Sequence, residues 1–442
     1  MEVQPGFASG KHNRDGDGVV HLRPMNITRS GVIDLSDARY VNDESDRRVE
    51  YGDVLFNNTN SPTLVGKTAW VNSLEPVAYS NHMTRLRTPE GLDGKFLATQ
   101  LHHLWAVGYF KTVLNNHVNQ ASVASKVLLD TEIVVPPLAE QRRIVTEIEQ
   151  QISHIEAGED AVREACERIT RLIQAIRADA LWPRNSVLPT GWSWGTVGDV
   201  LEDIEAGKSF TCLPRPADPD EWGIIKVSAM TWGEFRPEEN KAIPPEREPN
   251  PDHEIHSGNI LISRANTVDY VGAPVLVGPT RGKLLLSDKS LRLIPKRTVD
   301  PNWLIHVLAS PPVRAQYSEA ATGTSDSMRN ISQKVVRQAR IPIPESNTEQ
   351  KEIADMINSR LELVEEFRAP LMEQASRAQD LRATLLNAAF TGALAPQDPA
   401  DEPASVLLDR IRAGRMTAKR APRKRAPRRP RPSPPGQEEL PQ

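Results

Sequence analysis

Cysteine is nearly absent from this chain: of 442 residues only Cys166 and Cys212 carry a thiol. Two cysteines make no metal or redox pattern, and so low a count fits a reducing, cytoplasmic setting. No apolar run reaches the roughly 18 residues of a membrane span. The opening MEVQPGFASGKHN has no signal-peptide core. The ten histidines show no ligand spacing. His253–His256 and the pair His102–His103 stand without further ligands, so no metal site is expected. There is no G-x-x-x-x-G-K-[ST] phosphate loop and no glycine-rich turn that opens a helix with an acid beyond it. G-x-S-x-G and any carboxylate–lysine cluster of nuclease type are missing too. These absences point to a chain without catalysis of its own.

What is present is the composition of a globular protein, 38% hydrophobic and 25% charged, long enough for two or three domains. The net charge of −4 is uneven. Residues 415–431 hold nine basic residues and no acid, which leaves −4 − 9 = −13 on the rest. Contact with a polyanion must therefore use local positive patches. The basic, proline-rich stretch reads as disordered. It is either a solubilising tail or a nonspecific DNA tether or subunit contact.

The chain also repeats itself. VQPGFASGKHN at 3 parallels IEAGKSFTCLP at 204, and GVVHLRPMN at 18 parallels GIIKVSAMT at 223. YGDVLFNNTNSPTLVG at 51 parallels HSGNILISRANTVDYVG at 257. YSNHMTRLR at 79 parallels LSDKSLRLI at 286, and EQRRI at 140 parallels EQKEI at 349. Five landmarks in register indicate duplication. Each unit has short apolar strands punctuated by Gly, Pro, Asn and Asp, among them DVLFN, NILIS and LRLIP. One helical piece interrupts each, GKFLATQLHHLWAVGYFKTVL and NWLIHVLASPPVRAQY.

A long helix follows each unit. Ile148, Ile155, Val162, Ile169 and Ile176 recur every seven residues. Val145, Ile152, Cys166 and Ile173 form a second row that Glu159 breaks. This is a coiled-coil seam. The helix is expected from about Ala139 to Leu181, ending before Pro183, a rod of roughly 60 to 65 Å. The second helix repeats the spacing at Ile357, Val364, Leu371, Ala378 and Leu385, with Pro370 expected to kink it or start a new segment. Each narrow seam needs a partner, and the two can serve each other antiparallel.

The expected fold is α+β: two tandem globular domains separated by long helices that form an antiparallel coiled coil. The expected divisions are 1–137, first globular domain; 138–184, central helix and spacer; 185–346, second globular domain; 347–395, distal helix; 396–442, disordered basic tail.

The ordered set PPLAEQRRIVTEIE, LPTGWSWGTVGDV, IKVSAMTWGEF, GNILISRANT, MRNISQKVVRQARIPIP and LRATLLNAAFTGAL resembles the specificity subunits of Type I restriction–modification systems over nearly the whole chain. The resemblance implies that each globular unit reads one half of a bipartite, asymmetric DNA target. The helices would set the unread gap and bind two modification (methyltransferase) subunits, with nuclease/translocase subunits added for restriction. Those partners would use S-adenosylmethionine, Mg2+ and ATP; this chain would need no cofactor. The Asn/Asp-Pro-Pro-aromatic motif of DNA amino-methyltransferases is absent here; PNPD at 249 is the nearest. Two departures stand out. LPTGWSWGTVGDV at Leu188 has no counterpart before the first unit, as though its opening segment were missing or its edge completed otherwise. IPESNTEQKE also replaces the PPLAEQRR pattern at the second helix.

Base edges are read by Arg or Lys on guanine and by Asn or Gln on adenine; phosphate contacts position without specifying. The loops after the central strands carry such side chains: Asn57, Asn58, Thr59 and Asn60 in the first unit, Ser263, Arg264, Asn266 and Thr267 in the second. The bland alternative is turn chemistry. Further DNA candidates in the first unit are Lys11, His12, Arg14, Arg23, Lys67, Asn81, His82 and Arg85. In the second they are Lys208, Ser209, Lys226, Ser228, Asp288, Lys289, Arg292, Ser325, Arg329 and Asn330. The two loops differ in chemistry, so two unlike half-sites are expected. A competing reading is a coiled-coil scaffold whose two domains bind protein.

Overall fold

The repeat in the sequence is a repeat in strand order. The computed structural model describes residues 1–420 apart from 44–46, 74, 118–119, 184, 186, 210, 232 and 326–327. It divides into two compact units, Met1–Gly158 with Arg377–Gln442, and Glu159–Ser376. The first unit is built on an antiparallel sheet in the order Glu2–Pro5, Met83–Arg87, Val54–Asn57, Thr68–Trp70. The second repeats it as Leu201–Ala206, Ser290–Pro295, Ile260–Ser263, Pro274–Leu276.

The central strands VLFN and ILIS are buried at every position because both faces of the sheet are covered. Strand alternation sorts their side chains into two cores. Val54 and Phe56 join Phe96 and Phe110 on one face, while Leu55 joins Leu22 and Tyr79 on the other. Ile260 and Ile262 likewise meet Trp303 and Tyr317, while Leu261 meets Ile225 and Leu286. Each of these side chains contributes roughly 1.5–3 kcal/mol of burial.

A second layer also repeats. Val19–Leu22 runs parallel to Val77–Tyr79, as Gly223–Ile225 does to Leu284–Leu285. The expected strands VVHLRP and GIIKVSA are cut short by 3-10 turns at Pro24–Asn26 and Val227–Met230. Each single helical piece is two helices. Gly94–Ala106 and Tyr109–Val113 are separated at Gly108, whose φ of +84° only glycine adopts freely. Pro301–Ala309 and Pro311–Ala320 are separated at Ser310.

The long helices span Leu138–Leu181 and Asn347–Phe390. In the first unit Ile144, Val145 and Ile148 from the start of one helix share a core with Leu386 and Ala389 from the end of the other. In the second unit Ala354 and Ile357 meet Ile176, Ala180 and Leu181. Start meets end in both units, which makes the pair antiparallel. Ile155, Val162, Ile169 and Leu371 are half-buried along the seam. At its end Leu386, rather than Leu385, is buried. A straight α-helix drifts about 20° per heptad, so after four heptads the facing residue has moved on by one. The second helix runs unbroken through Pro370, so no new segment starts there.

Both helix starts are tied in alike. The buried Gln141 accepts from the Asp93 amide at 2.8 Å and donates to the Pro136 carbonyl at 2.8 Å. Gln350 does the same with Asp300 at 2.9 Å and Pro344 at 3.1 Å. Asp93 and Asp300 in turn cap the helices that follow them. The altered lead-in IPESNT therefore leaves the glutamine clamp intact.

The expectation of a disordered tail from 396 onward is corrected. Ala404–Arg420 is an α-helix, Leu407 is buried, and Asp401 is bound bidentately by Arg143 at 2.6 and 3.3 Å. Apolar Leu407, Leu408 and Ile411 give this stretch a face to bury, which the composition of the following residues masks. The remainder, 421–442, lies outside the described residues. Among the described residues no helix is long and apolar enough to cross a membrane.

Candidate nucleic-acid interface

Each unit carries a small three-stranded sheet where its central strand runs out. In the second unit Ile260–Ser263 leads into Arg264, whose amide donates to the Lys289 carbonyl at 2.8 Å and whose carbonyl accepts from the Ile331 amide at 3.0 Å. The next strand, Ala265–Asn266, pairs with Met328–Asn330, which pairs with Thr322–Ser325. Asn266 stands opposite Arg329, and Ala265 opposite Asn330. Candidates from three distant parts of the sequence thus converge. The Arg264 and Asn330 side chains are exposed, and those of Asn266, Thr267, Lys289 and Arg329 are half-buried. Lys208, also exposed, lies close by: it bridges to Ser287, at the start of the turn that carries Lys289.

The first unit builds the same object from different residues. The Asn58 and Thr59 amides both reach the His82 carbonyl, at 3.0 and 3.3 Å. Thr59–Asn60 then pairs with Gln120–Ser122, which pairs with Asn115–His117. Asn115, Asn116 and Gln120 are exposed, while Asn58, Thr59, Asn60 and His82 are half-buried. The Asn58 side chain donates to Thr84 Oγ1 at 2.8 Å and accepts from Thr59 Oγ1 at 2.8 Å. The hairpin at 115–122 was not picked out from the sequence. Its signal was there: LNNHVNQAS stands one repeat before TGTSDSMRN and is dense in amides. Without glycine or charge it resembled an ordinary polar loop.

Other candidates are structural. Asn57 is fully buried and donates to the Leu64 carbonyl at 3.0 Å, holding the turn that its strand runs into. Lys67 is buried, its ammonium against the Ile27 carbonyl, and burial pushes its pKa down. Arg85 is buried between Glu2 and the Arg48 carbonyl. Arg292 takes the equivalent place with Glu205, Asn259 and the carbonyls of Asp252 and Glu254. This arginine recurs because it pins the outer strand in both units. Arg14 and Arg23 both engage Asp37, at 3.1 and 3.3 Å. Lys226 and Ser228 share Glu239, at 3.1 and 2.6 Å. These cations are neutralised within the fold and are poorer phosphate ligands than their charge suggested.

Lys11, Ser209, Asn81 and Asp288 are exposed; the Asn81 carbonyl accepts from the Asn58 side chain at 3.3 Å, which sets it beside the first patch. The Ser325 side chain lies outside the described residues. His12 Nε2 approaches His21 Nδ1 at 3.0 Å; burial, then His12, lowers the His21 pKa to about 4. His21 is therefore a neutral core group. Among the described residues no cluster of His, Cys, Asp or Glu could hold a metal ion.

The two patches differ in what they offer. The first presents amides and hydroxyls; the second adds Lys208, Arg264, Lys289 and Arg329. Amide-rich surfaces suit adenine edges and guanidinium-rich surfaces suit guanine edges.

Residues 25–162 match the Type I restriction modification DNA specificity domain. The Type I restriction enzyme EcoEI specificity subunit of Escherichia coli is 34% identical over 203 residues, 43% of this chain and 34% of that protein. The match thus spans about a third of that relative's length. The EcoKI specificity subunit of Escherichia coli strain K12 is 22% identical over 90% of this chain and 89% of its own. A solved chain from work on complex assembly and conformational transition of the type I R-M system shares the fold, with a TM-score of 0.62 at 20% identity, over 85% of this chain and 92% of that one.

Proposed function

We propose that this chain is a specificity subunit of the Type I restriction–modification kind, like the relatives it resembles, and that as a non-catalytic DNA-recognition subunit it reads a bipartite, asymmetric target. The first unit reads one half-site through Asn58, Thr59, Asn60 and the hairpin at 115–122. The second reads the other through Arg264, Asn266, Arg329 and Asn330, with Lys208 and Lys289 holding phosphates. The observation that carries this reading is the pair of equivalent three-stranded sheets with unlike side chains: the same scaffold aims two different chemistries.

Catalysis then falls to partners. Two modification subunits would use S-adenosylmethionine to methylate an adenine flipped out of each half-site, and restriction subunits would use ATP and Mg2+. On the second long helix Met356, Leu363 and Phe367 lie along one face and are 38, 58 and 71% exposed. An apolar stripe on an otherwise charged helix suits a protein partner, and we assign it to a modification subunit.

The test is a genome-wide map of methylated adenine in a host lacking other methylases, with the chain expressed beside its modification subunit. A split motif with unlike halves and a fixed gap is expected. Exchanging residues 58–60 and 115–122 should change one half alone. Arg264→Ala should relax the other half at a guanine, costing about 1–3 kcal/mol of discrimination. Methylation without any sequence preference, from a well-formed complex, would refute the reading and favour a protein-binding scaffold.

A further inference from the structure

The side chains that the first patch offers to bases, Asn58, Thr59, Asn60, Asn115, Asn116 and Gln120, are uncharged. Duplex DNA carries a negative charge about every 1.7 Å along its axis, and much of a protein's affinity for it comes from neutralising those charges. Amides can read base edges but leave the phosphate charge uncompensated.

In both units the chain leaves the small sheet by the same step. The Val123 amide donates to the Asn58 carbonyl at 2.9 Å, and the Ile331 amide donates to the Arg264 carbonyl at 3.0 Å. Each bond ties the end of the hairpin to the residue at which the central strand runs out. A short helix follows, Ser125–Asp130 in the first unit and Gln333–Gln338 in the second. Its inner side is alike in both: Val127 and Leu128 pack into the first unit's core, Val335 and Val336 into the second's. A lysine stands at the same place in both, Lys126 and Lys334, three residues beyond the tied amide and exposed. Neither ammonium makes a hydrogen bond or ion pair among the described residues, although Asp130 lies one turn further on from Lys126.

Other cations of the two units are already engaged: Arg14, Arg23, Arg85, Lys226 and Arg292 are each held by an acid. Lys126 and Lys334 keep their charge for an outside anion. Three residues span at most about 10 Å, and the major groove is about 12 Å wide. A lysine so tied to the recognition strand can reach the phosphates that wall the groove.

We propose that Lys126 and Lys334 are a repeated pair of phosphate anchors, one for each half-site, that hold the DNA backbone against the small sheets without regard to base sequence. This rests on the DNA-recognition reading above and adds a sequence-blind contact to each unit. A lysine ammonium is a point charge on a flexible stem, and at a phosphate it carries no base information.

The test takes the full chain in complex with its modification subunits and compares it with Lys126→Gln, Lys334→Gln and the double variant. Equilibrium binding to target and non-target duplexes is measured across salt. Each single variant should lower the slope of log K against log salt by about 0.9, and the double variant by about twice that. Binding to both duplexes should weaken roughly fivefold to tenfold per lysine near 0.1 M salt. Lys126→Arg and Lys334→Arg should keep the slope, and the preference for target over non-target should stay in every variant. Neutral methylphosphonate groups at single phosphates of the target then place the contacts. The phosphate that no longer matters in Lys126→Gln should flank one half-site, and that of Lys334→Gln the other. Unchanged slopes in the double variant, with preference retained, would overturn the anchors and leave the recognition reading standing. Loss of preference in the glutamine variants would overturn the sequence-blind role, and a shared flank for both lysines would overturn the assignment of one anchor to each unit. Absence of any preference in the unaltered complex would refute the recognition reading instead.

Discussion

The two units share a strand order but close one edge differently. In the second, Arg340–Pro344 pairs along its whole length with Trp192–Thr196. The Trp192 indole donates to Glu349 at 2.8 Å, and Arg340 stacks over Trp194. In the first, residues 131–137 form no strand, Val134 is half exposed, and Glu140, the counterpart of Glu349, is buried. The recognition sheet and the helix pair are nevertheless alike in both. In the second unit the glutamine clamp and the edge strand are continuous, because Gln350 donates to the carbonyl of Pro344, which pairs with Trp192.

Acid should separate the units most. Burial lowers His21 and His102 of the first unit, and His306 of the second, from 6.5 to about 4. A depressed histidine contributes stability that is complete above pH 6.5 and is lost as pH falls toward about 4, because the unfolded chain then binds the proton that the folded one refuses. Each can cost up to about 3 kcal/mol. Hydrogen exchange followed from pH 7 to 4 should show the first unit opening before the second. The reverse order would sink this account.

The next contrast is the pinning arginine. Arg292→Ala should cost about 3–5 kcal/mol in urea unfolding, since it strands Glu205 and two backbone carbonyls. Arg85→Ala, with fewer partners, should cost about 2–3 kcal/mol. Equal costs would mean the extra contacts of Arg292 add nothing. Along the helices Ile357→Ala, at a fully buried site, should cost about 2–4 kcal/mol and Ile155→Ala, half-buried, about 1; thermal melts of both would reveal a uniform seam if the costs match. The smallest effect concerns the open edge. Placing a copy of residues 188–200 ahead of Met1 should stabilise the first unit by about 1–2 kcal/mol and protect the amides of 132–136 from exchange. No new protection would show that this edge does not accept a strand.

The architecture was largely legible in the sequence, and the candidate interface only in part. Duplication, the seam and the second helix's start could be read because they are periodic or repeated. Within the interface, Arg264 and Asn266 were picked out from their position after the central strand. The hairpin at 115–122 was not, since amides in a loop look alike whether they read bases or water. The burial of Asn57, Lys67, Arg85 and Arg292 was not legible either, because a polar side chain carries no mark of it; only the sheet that encloses it decides.

Local pattern by itself determined two similar α+β units, two long antiparallel helices and the lack of a catalytic motif, since these depend on spacing along the chain. Tertiary structure alone decided which polar residues became pins and which remained on the surface. It brought Arg264, Lys289 and Arg329 to one small sheet, and it folded the head of a basic tail into a seated helix. The physical reason is that burial and convergence are set by contacts between residues far apart in sequence, and no short-range pattern records them.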